Sequence, residues 1–308
     1  MNFLDVKTDY AFKKVFGTEE NKPLLIDFLN SIIDFKDDAK IEDLTIIDPY
    51  NIPMLKGMKD TFVDVKAKLD NNTKVIIEMQ VLNNEGFEKR VLYNAAKNYS
   101  IQLNKAEDYH LLNPVIALSI VNFEMFKDSQ KVVTHFKLLE KSEFIDYSDD
   151  IELIFVELPK FKKQLEELQS IQDQWIYFIK NAGSLEFVPK DLDNSIQQAL
   201  QTVNEANLTK DELEMQHKRK DFIAVQRLAV LKATKDGHKQ GVREGKEEGL
   251  KEGIEKGIEQ GIEQGRDDER KQLIVNAYRN GMPTNLIGSF VGMDEEEIIN
   301  ILKTVENL

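Results

Sequence analysis

The sequence predicts an α/β (α+β) domain of order α-β-β-β-α-β over about residues 1–190, followed by an all-helical C-terminal region. Three observations predict it. Helix-period and strand-period segments alternate with short turn signals as far as about residue 190, as they do when helices cover a sheet. Two alternating runs, Phe62 to Leu69 and Val75 to Val81, flank Asp70-Asn71-Asn72 as the arms of a hairpin would. Beyond residue 190 the chain turns polar and rich in helix formers.

The elements follow in order. Phe12, Val15, Phe16, Leu24, Leu25, Phe28, Leu29 and Ile32 fit two helices with a break near Gly17, and Pro23 suits the first turn of the second. Leu44 to Ile47, before Asp48-Pro49, reads as a strand, and the hairpin comes next. Glu85 to Lys105 is helical, with Val91, Leu92, Ala95, Ala96 and Tyr99 on one side. Pro114 to Val121 and Ile151 to Leu158 read as buried strands, with Val132 to Leu139 a weaker third. Four segments are expected: an α/β domain at 1–190, a helical connector at 191–235, a helical or flexible repeat with glycine at every fourth position at 236–267 and a small helical, helix-turn-helix-like tail at 268–308.

Composition narrows the chemistry. The chain has 308 residues and no cysteine, which excludes disulfides, thiolate metal sites and a cysteine nucleophile. Met1 to Gly17 carries no apolar run, and Val115 to Val121, the longest apolar stretch, is too short to span a bilayer, so a cytoplasmic protein without membrane contact is expected. A net charge of −14 argues against an electrostatic nucleic-acid coat. It leaves room for an acidic, metal-binding cleft flanked by a few cations.

The hairpin register can be argued from the requirement that apolar side chains share a face. A two-residue turn at Asn71-Asn72 pairs Val65 with Glu78 and scatters the apolar set. A three-residue loop at Asn71 to Thr73 pairs Val63 with Val81, Val65 with Met79, Ala67 with Ile77 and Leu69 with Val75. It also sets Asp64 opposite Gln80 and Lys66 opposite Glu78 on the other face. Adjacent carboxylates on rigid strands suit Mg²⁺, which takes one or two carboxylates and keeps its other positions for water and phosphate. The same four residues also suit a solvent-facing strand pair with a Lys66–Glu78 cross-strand ion pair.

Asp64 followed by Glu78-Met79-Gln80 on consecutive strands resembles the D…(D/E)-x-K signature of the PD-(D/E)XK nuclease superfamily, whose core is αβββαβ. Lys7 to Gly17, Phe62-Val63-Asp64-Val65, Glu78-Met79-Gln80, Arg90-Val91-Leu92-Tyr93, Glu157 to Phe161, Trp175 and the glycine-rich tail together resemble the recombination-promoting nuclease (Rpn) and transposase family within it. The resemblance implies a metal-dependent DNA endonuclease with a role in recombination, mobile-element behaviour or defence. It implies Asp64 and Glu78 as ligands of Mg²⁺, with Mn²⁺ able to substitute, and Gln80 at the position of the superfamily lysine. Gln looks usual for this branch, yet an amide lacks the positive charge a lysine gives, and Lys66 is the candidate to replace it. Asp9 and Lys13, one helical turn apart, either close the site or form an ordinary surface pair. Arg90 and Tyr93 are candidates to contact phosphate, with core packing the alternative for Tyr93.

Gly237, Gly241, Gly245, Gly249, Gly253, Gly257, Gly261 and Gly265 recur at every fourth position, with Val242, Leu250, Ile254, Ile258 and Ile262 each one residue on. Eight glycines cost a lone helix roughly 8 kcal/mol relative to alanine. The ladder is therefore either a self-association helix that tightens when two backbones approach, making a homo-oligomer through the C-terminal region, or a flexible low-complexity linker. An inactive nuclease fold that oligomerises this way is the alternative to an enzyme. The tail predicts helices ending at Gly281, spanning Thr284 to Val291, and capped by Asp294. Its spacing resembles a helix-turn-helix, but Asp294 to Glu297 at the last helix start would meet phosphate with like charge, which favours a packing role. His110, His135, His217 and His238 show no ligand spacing.

Overall fold

The computed structural model describes residues 1–35, 39–51 and 61–306. Two compact units, Met1–Leu228 and Ala229–Leu308, are described separately.

The first unit opens with α1 (Asp9–Phe16) and α2 (Lys22–Ile32), whose buried faces are the predicted apolar sets. Thr8 caps α1 by accepting from the Ala11 N–H, and Pro23 sits in the first turn of α2. There follow β1 (Leu44–Ile46), a small antiparallel ribbon of β2 (Tyr50–Asn51) and β3 (Thr61–Phe62), then β4 (Val65–Leu69) and β5 (Lys74–Gln80). Next come α3 (Phe87–Ser100), β6 (Val115–Val121), β7 (Val133–Leu139) and β8 (Asp146–Glu157). The six-stranded sheet runs β1-β4-β5-β6-β8-β7, antiparallel from β1 to β5, parallel from β5 through β6 to β8, and antiparallel again at β7. Leaving aside the β2–β3 ribbon, this is the expected αβββαβ order, with β8 and β7 extending the sheet.

Both faces of the sheet are covered. On one, Val65, Ala67, Leu69, Val75, Ile77 and Met79 join a core built from α1, α2, α4 (Ile171–Asn181) and α5 (Asn194–Thr202). At its centre Phe12, Phe16, Phe28, Trp175 and Phe178 stack with ring centroids 4.8–5.8 Å apart. On the other face, Phe87, Val91 and Ala95 of α3 meet Ile76, Val115, Ala117 and Phe155. The edge strand β7 is largely exposed.

The hairpin register differs from expectation by two residues. The observed pairs are Val65 with Ile77, Lys66 with Ile76, Ala67 with Val75 and Lys68 with Lys74. The loop is Asp70 to Asn72, closed by the Leu69 N–H donating to the Thr73 carbonyl at 2.9 Å. Asn72, its third residue, has φ +67°. Such loops end on a left-handed residue, which Asn tolerates and a β-branched Thr73 would not. A shared apolar face does not set the register either, because β5 is central and buried on both sides, and Ile76 belongs under α3.

The long helix α6 (Lys210–Arg279) begins in the first unit, where Glu212 pairs with Lys14 at 2.7 Å and accepts from the Tyr10 hydroxyl. Hydrogen bonds from Lys14, Tyr10 and Thr209 hold the Glu212 carboxyl down at about 2. The glycine ladder lies within α6; all eight glycines are exposed, and a Cβ added at any of them would meet nothing within 4 Å.

In the second unit, Ile274 and Val275 of α6 form a small core with Ile287 of α7 (Thr284–Val291) and Ile298 and Leu302 of α8 (Glu295–Glu306). Asp294 caps α8 reciprocally with Glu297, at 2.8 and 3.0 Å. Gly288 is required by close approach, since a Cβ there would lie 2.6 Å from the Met293 carbonyl oxygen.

Candidate functional site

The acids meet where β4 begins and β5 ends. The Asp64 N–H donates to the Ile77 carbonyl at 3.0 Å, and the Met79 N–H donates back to Asp64 Oδ2 at 2.8 Å. Those two bonds flank Glu78, so the observed register brings Asp64 beside Glu78 instead of beside Gln80. Burial pushes the Asp64 carboxyl above its usual range, with nearby Asp9 adding and the Met79 N–H and Lys13 opposing. Burial also raises the Glu78 carboxyl, with Arg90 opposing and Asp64 adding. Two desolvated carboxylates thus repel one another at the strand ends, which is costly without nearby positive charge.

That charge comes from both sides of the sheet. Lys13 of α1 places Nζ 3.4 Å from Asp64 Oδ1. Arg90 of α3 donates from Nη2 to Glu78 Oε1 at 2.5 Å and to Gln80 Oε1 at 2.8 Å. Its guanidinium also lies 5.2 Å from the Phe87 ring centre. Gln80 is engaged at both ends, since its Nε2 donates to the Leu82 carbonyl at 2.6 Å.

Three expectations need correction. Lys66 is not opposite Glu78: it pairs with Ile76 and is diagonal to the acid on the same face, and Glu78 takes its ion pair from Arg90. Burial pushes the Lys66 ammonium below its ordinary value, with Lys74 and Lys97 adding and Asp48 opposing. Asp9 and Lys13 do not pair with each other, because Asp9 turns to Arg219 at 2.9 Å while Lys13 reaches Asp64. Tyr93 is not packed in the core but is 38% exposed, with Lys97 Nζ 6.0 Å from its ring.

A polar stripe on α3 escaped the sequence reading. Arg90, Asn94, Lys97 and Asn98 recur at i, i+4, i+7 and i+8, and the last three are buried on the side of the helix that covers the sheet. Asn94 is 1% exposed, and neither atom of its amide has a hydrogen-bond partner among the described residues. Polar residues at helical spacing inside an otherwise apolar face were the available signal.

The donor set suits a hard divalent cation. Among the described residues no group of three or more Asp, Glu or His is placed to hold a metal ion. Two carboxylates are what Mg²⁺ uses when water and phosphate complete its shell, whereas an all-protein cage would need more. A divalent cation would also relieve the mutual repulsion of Asp64 and Glu78.

The αβββαβ sheet, with a partly buried Asp and Glu side by side where neighbouring strands begin and end, defines a nuclease-type fold. The chain belongs to the PD-(D/E)XK nuclease family transposases, whose family model matches residues 6–232. No curated protein and no solved structure matches the chain significantly. Nucleases of this superfamily usually use divalent metals. Among the described residues, no helix is long and apolar enough to cross a membrane.

Proposed function

We propose that this protein is a divalent-metal-dependent DNA endonuclease that hydrolyses phosphodiester bonds in the cytoplasm, in recombination, mobile-element movement or defence. The observation that supports it best is the meeting of Asp64 and Glu78 across β4 and β5 through the Met79 N–H. Asp64 and Glu78 would hold Mg²⁺, or Mn²⁺ in its place. When bound, the cation supplies Lewis-acid chemistry: stabilisation of charge building on phosphate, and activation of water.

The chain's own residues set up that chemistry. The Met79 N–H orients Asp64, and burial keeps both carboxylates short of solvent competition. Lys13 and Arg90 offset their charge. Gln80 orients Arg90 rather than water, because both ends of its amide are occupied. Lys66 adds positive potential from one pair further along β4. Asp9, paired with Arg219, ties α1 to α6 and so positions Lys13.

Supercoiled-plasmid cleavage with Mg²⁺, Mn²⁺ or EDTA tests this reading, beside Asp64→Ala and Glu78→Ala. Metal-dependent nicking lost in both folded variants is expected. Cleavage that survives both substitutions, or none with any metal, would sink it.

A second reading, self-association through α6 with or without nuclease activity, draws on the glycine ladder. Leu250, Ile254, Ile258 and Ile262 are all more than half exposed along it. An isolated helix carrying eight glycines is poorly stable in water.

A further inference from the structure

Arg90 contacts both Glu78 and Gln80, and its two partners differ in kind. Glu78 is a carboxylate that a divalent cation would claim. Gln80 is neutral, and its amide is fixed by the Leu82 carbonyl so that its oxygen faces the guanidinium. The Arg90 guanidinium is not fully engaged: its Nε–H is buried and has no partner among the described residues. Charge counting adds a constraint. Asp64 and Glu78 are offset by Lys13 and Arg90, so these four side chains together carry no net charge. Adding a divalent cation leaves an excess of positive charge, which the anion of a nucleic-acid backbone would cancel.

We propose that Arg90 is an exchangeable counter-ion: it pairs with Glu78, and where Glu78 held a divalent cation Arg90 would turn to a phosphate of the nucleic acid while Gln80 keeps it in place. This rests on the metal-dependent nuclease reading above. It moves the positive charge that Gln80 lacks from the strand to the helix beside it. An arginine fits the task because its planar fork can hold an amide oxygen and a phosphate oxygen together. It also makes metal and nucleic acid bind cooperatively, since each removes a competitor or supplies a partner for the other.

The test uses the full chain and two readouts besides cleavage: Mn²⁺ affinity by calorimetry, and binding of a duplex oligonucleotide with Ca²⁺ or EDTA. Arg90→Met removes the competitor for Glu78, so Mn²⁺ should bind about tenfold more tightly, the equivalent of one charge-assisted hydrogen bond. The Ca²⁺-dependent gain in oligonucleotide affinity should be lost. Gln80→Leu keeps the Arg90–Glu78 pair but removes the neutral anchor. It should leave Mn²⁺ affinity near that of the wild type and still lose the gain.

If Arg90 only braces Glu78, Arg90→Met will weaken Mn²⁺ binding, and the inference is overturned. A full Ca²⁺-dependent gain in Gln80→Leu overturns it too, and does so even if Arg90→Met fails to fold. Wild-type protein that binds no Mn²⁺, or Asp64→Ala that binds it unchanged, would instead overturn the metal reading together with the inference. Normal metal binding at the acids with no change in either variant would overturn the inference alone.

Discussion

Replacing Lys160 by Met should be among the most damaging changes in the first unit that touch none of the proposed site residues. Glu157 closes β8 with its side chain fully buried, and Lys160, 5% exposed, lies 2.6 Å from its Oε2. The pair also anchors the segment that leaves β6. Glu157 Oε1 accepts from the Met125 and Phe126 N–H groups at 2.6 and 3.2 Å, and Lys160 Nζ donates to the Phe126 carbonyl at 2.7 Å. Lys160→Met would leave a carboxylate buried without its cation, at a cost of about 3–5 kcal/mol. That is a large share of the roughly 5–15 kcal/mol that holds a domain folded. For a domain of this size it corresponds to a fall in melting temperature of roughly 6–20 °C. The loss should reach the candidate site, because the Asn122 N–H at the start of the same segment donates to the Gln80 carbonyl at 2.9 Å. Thermal and urea denaturation of Lys160→Met, Glu157→Gln and the double variant measure it. The double variant should be more stable than Lys160→Met alone, since it no longer buries an unpaired charge. A cost below about 1 kcal/mol for Lys160→Met would refute the reasoning, as would strict additivity.

Two further predictions concern the acids and the ladder. Because burial raises the Asp64 carboxyl above its usual range, the folded protein holds a proton there more tightly than the unfolded chain does. Its ionisation therefore costs stability as pH rises through and above the folded value, and the cost disappears as pH falls back to the ordinary carboxylate range. Asp64→Asn should then melt higher than wild type at pH 7 in EDTA, with the gap closing toward pH 4; a lower melting temperature at pH 7 would contradict this. In the ladder, Gly249→Ala, Gly253→Ala and Gly257→Ala together should each favour the isolated helix by about 1 kcal/mol. If the glycine face seats a second copy, the triple variant will lose mass by light scattering despite that gain. Unchanged mass with added helicity would count against self-association.

Much of the fold was legible because its signals are local. Helix and strand periodicity, Pro23 in a first turn and the Asp294 cap depend on neighbours in sequence, and each of those elements stands close to where the pattern sets it. Asp64 and Glu78 were legible as neighbours because a single tight turn at Asp70 to Asn72 folds one arm of the hairpin directly onto the other. The register was not, because β5 is covered on both faces and an apolar side chain there marks neither one. Whether Ile76 points outward depends on α3, which reaches the sheet from later in the chain.

The partners of the acids belong wholly to tertiary structure. Lys13 reads as the i,i+4 neighbour of Asp9, and only the docking of α1 against the sheet and of α6 against α1 sends the two to Asp64 and Arg219. Arg90 and Gln80 sit ten residues apart, and it is the return of α3 across β5 that joins them. Local backbone preference and hydrophobic period decided which elements form, and the sequence itself says which positions carry acid. The pairing of charges was decided by which elements cover each face of the sheet, because burial removes the water that would otherwise let each side chain choose its nearest neighbour.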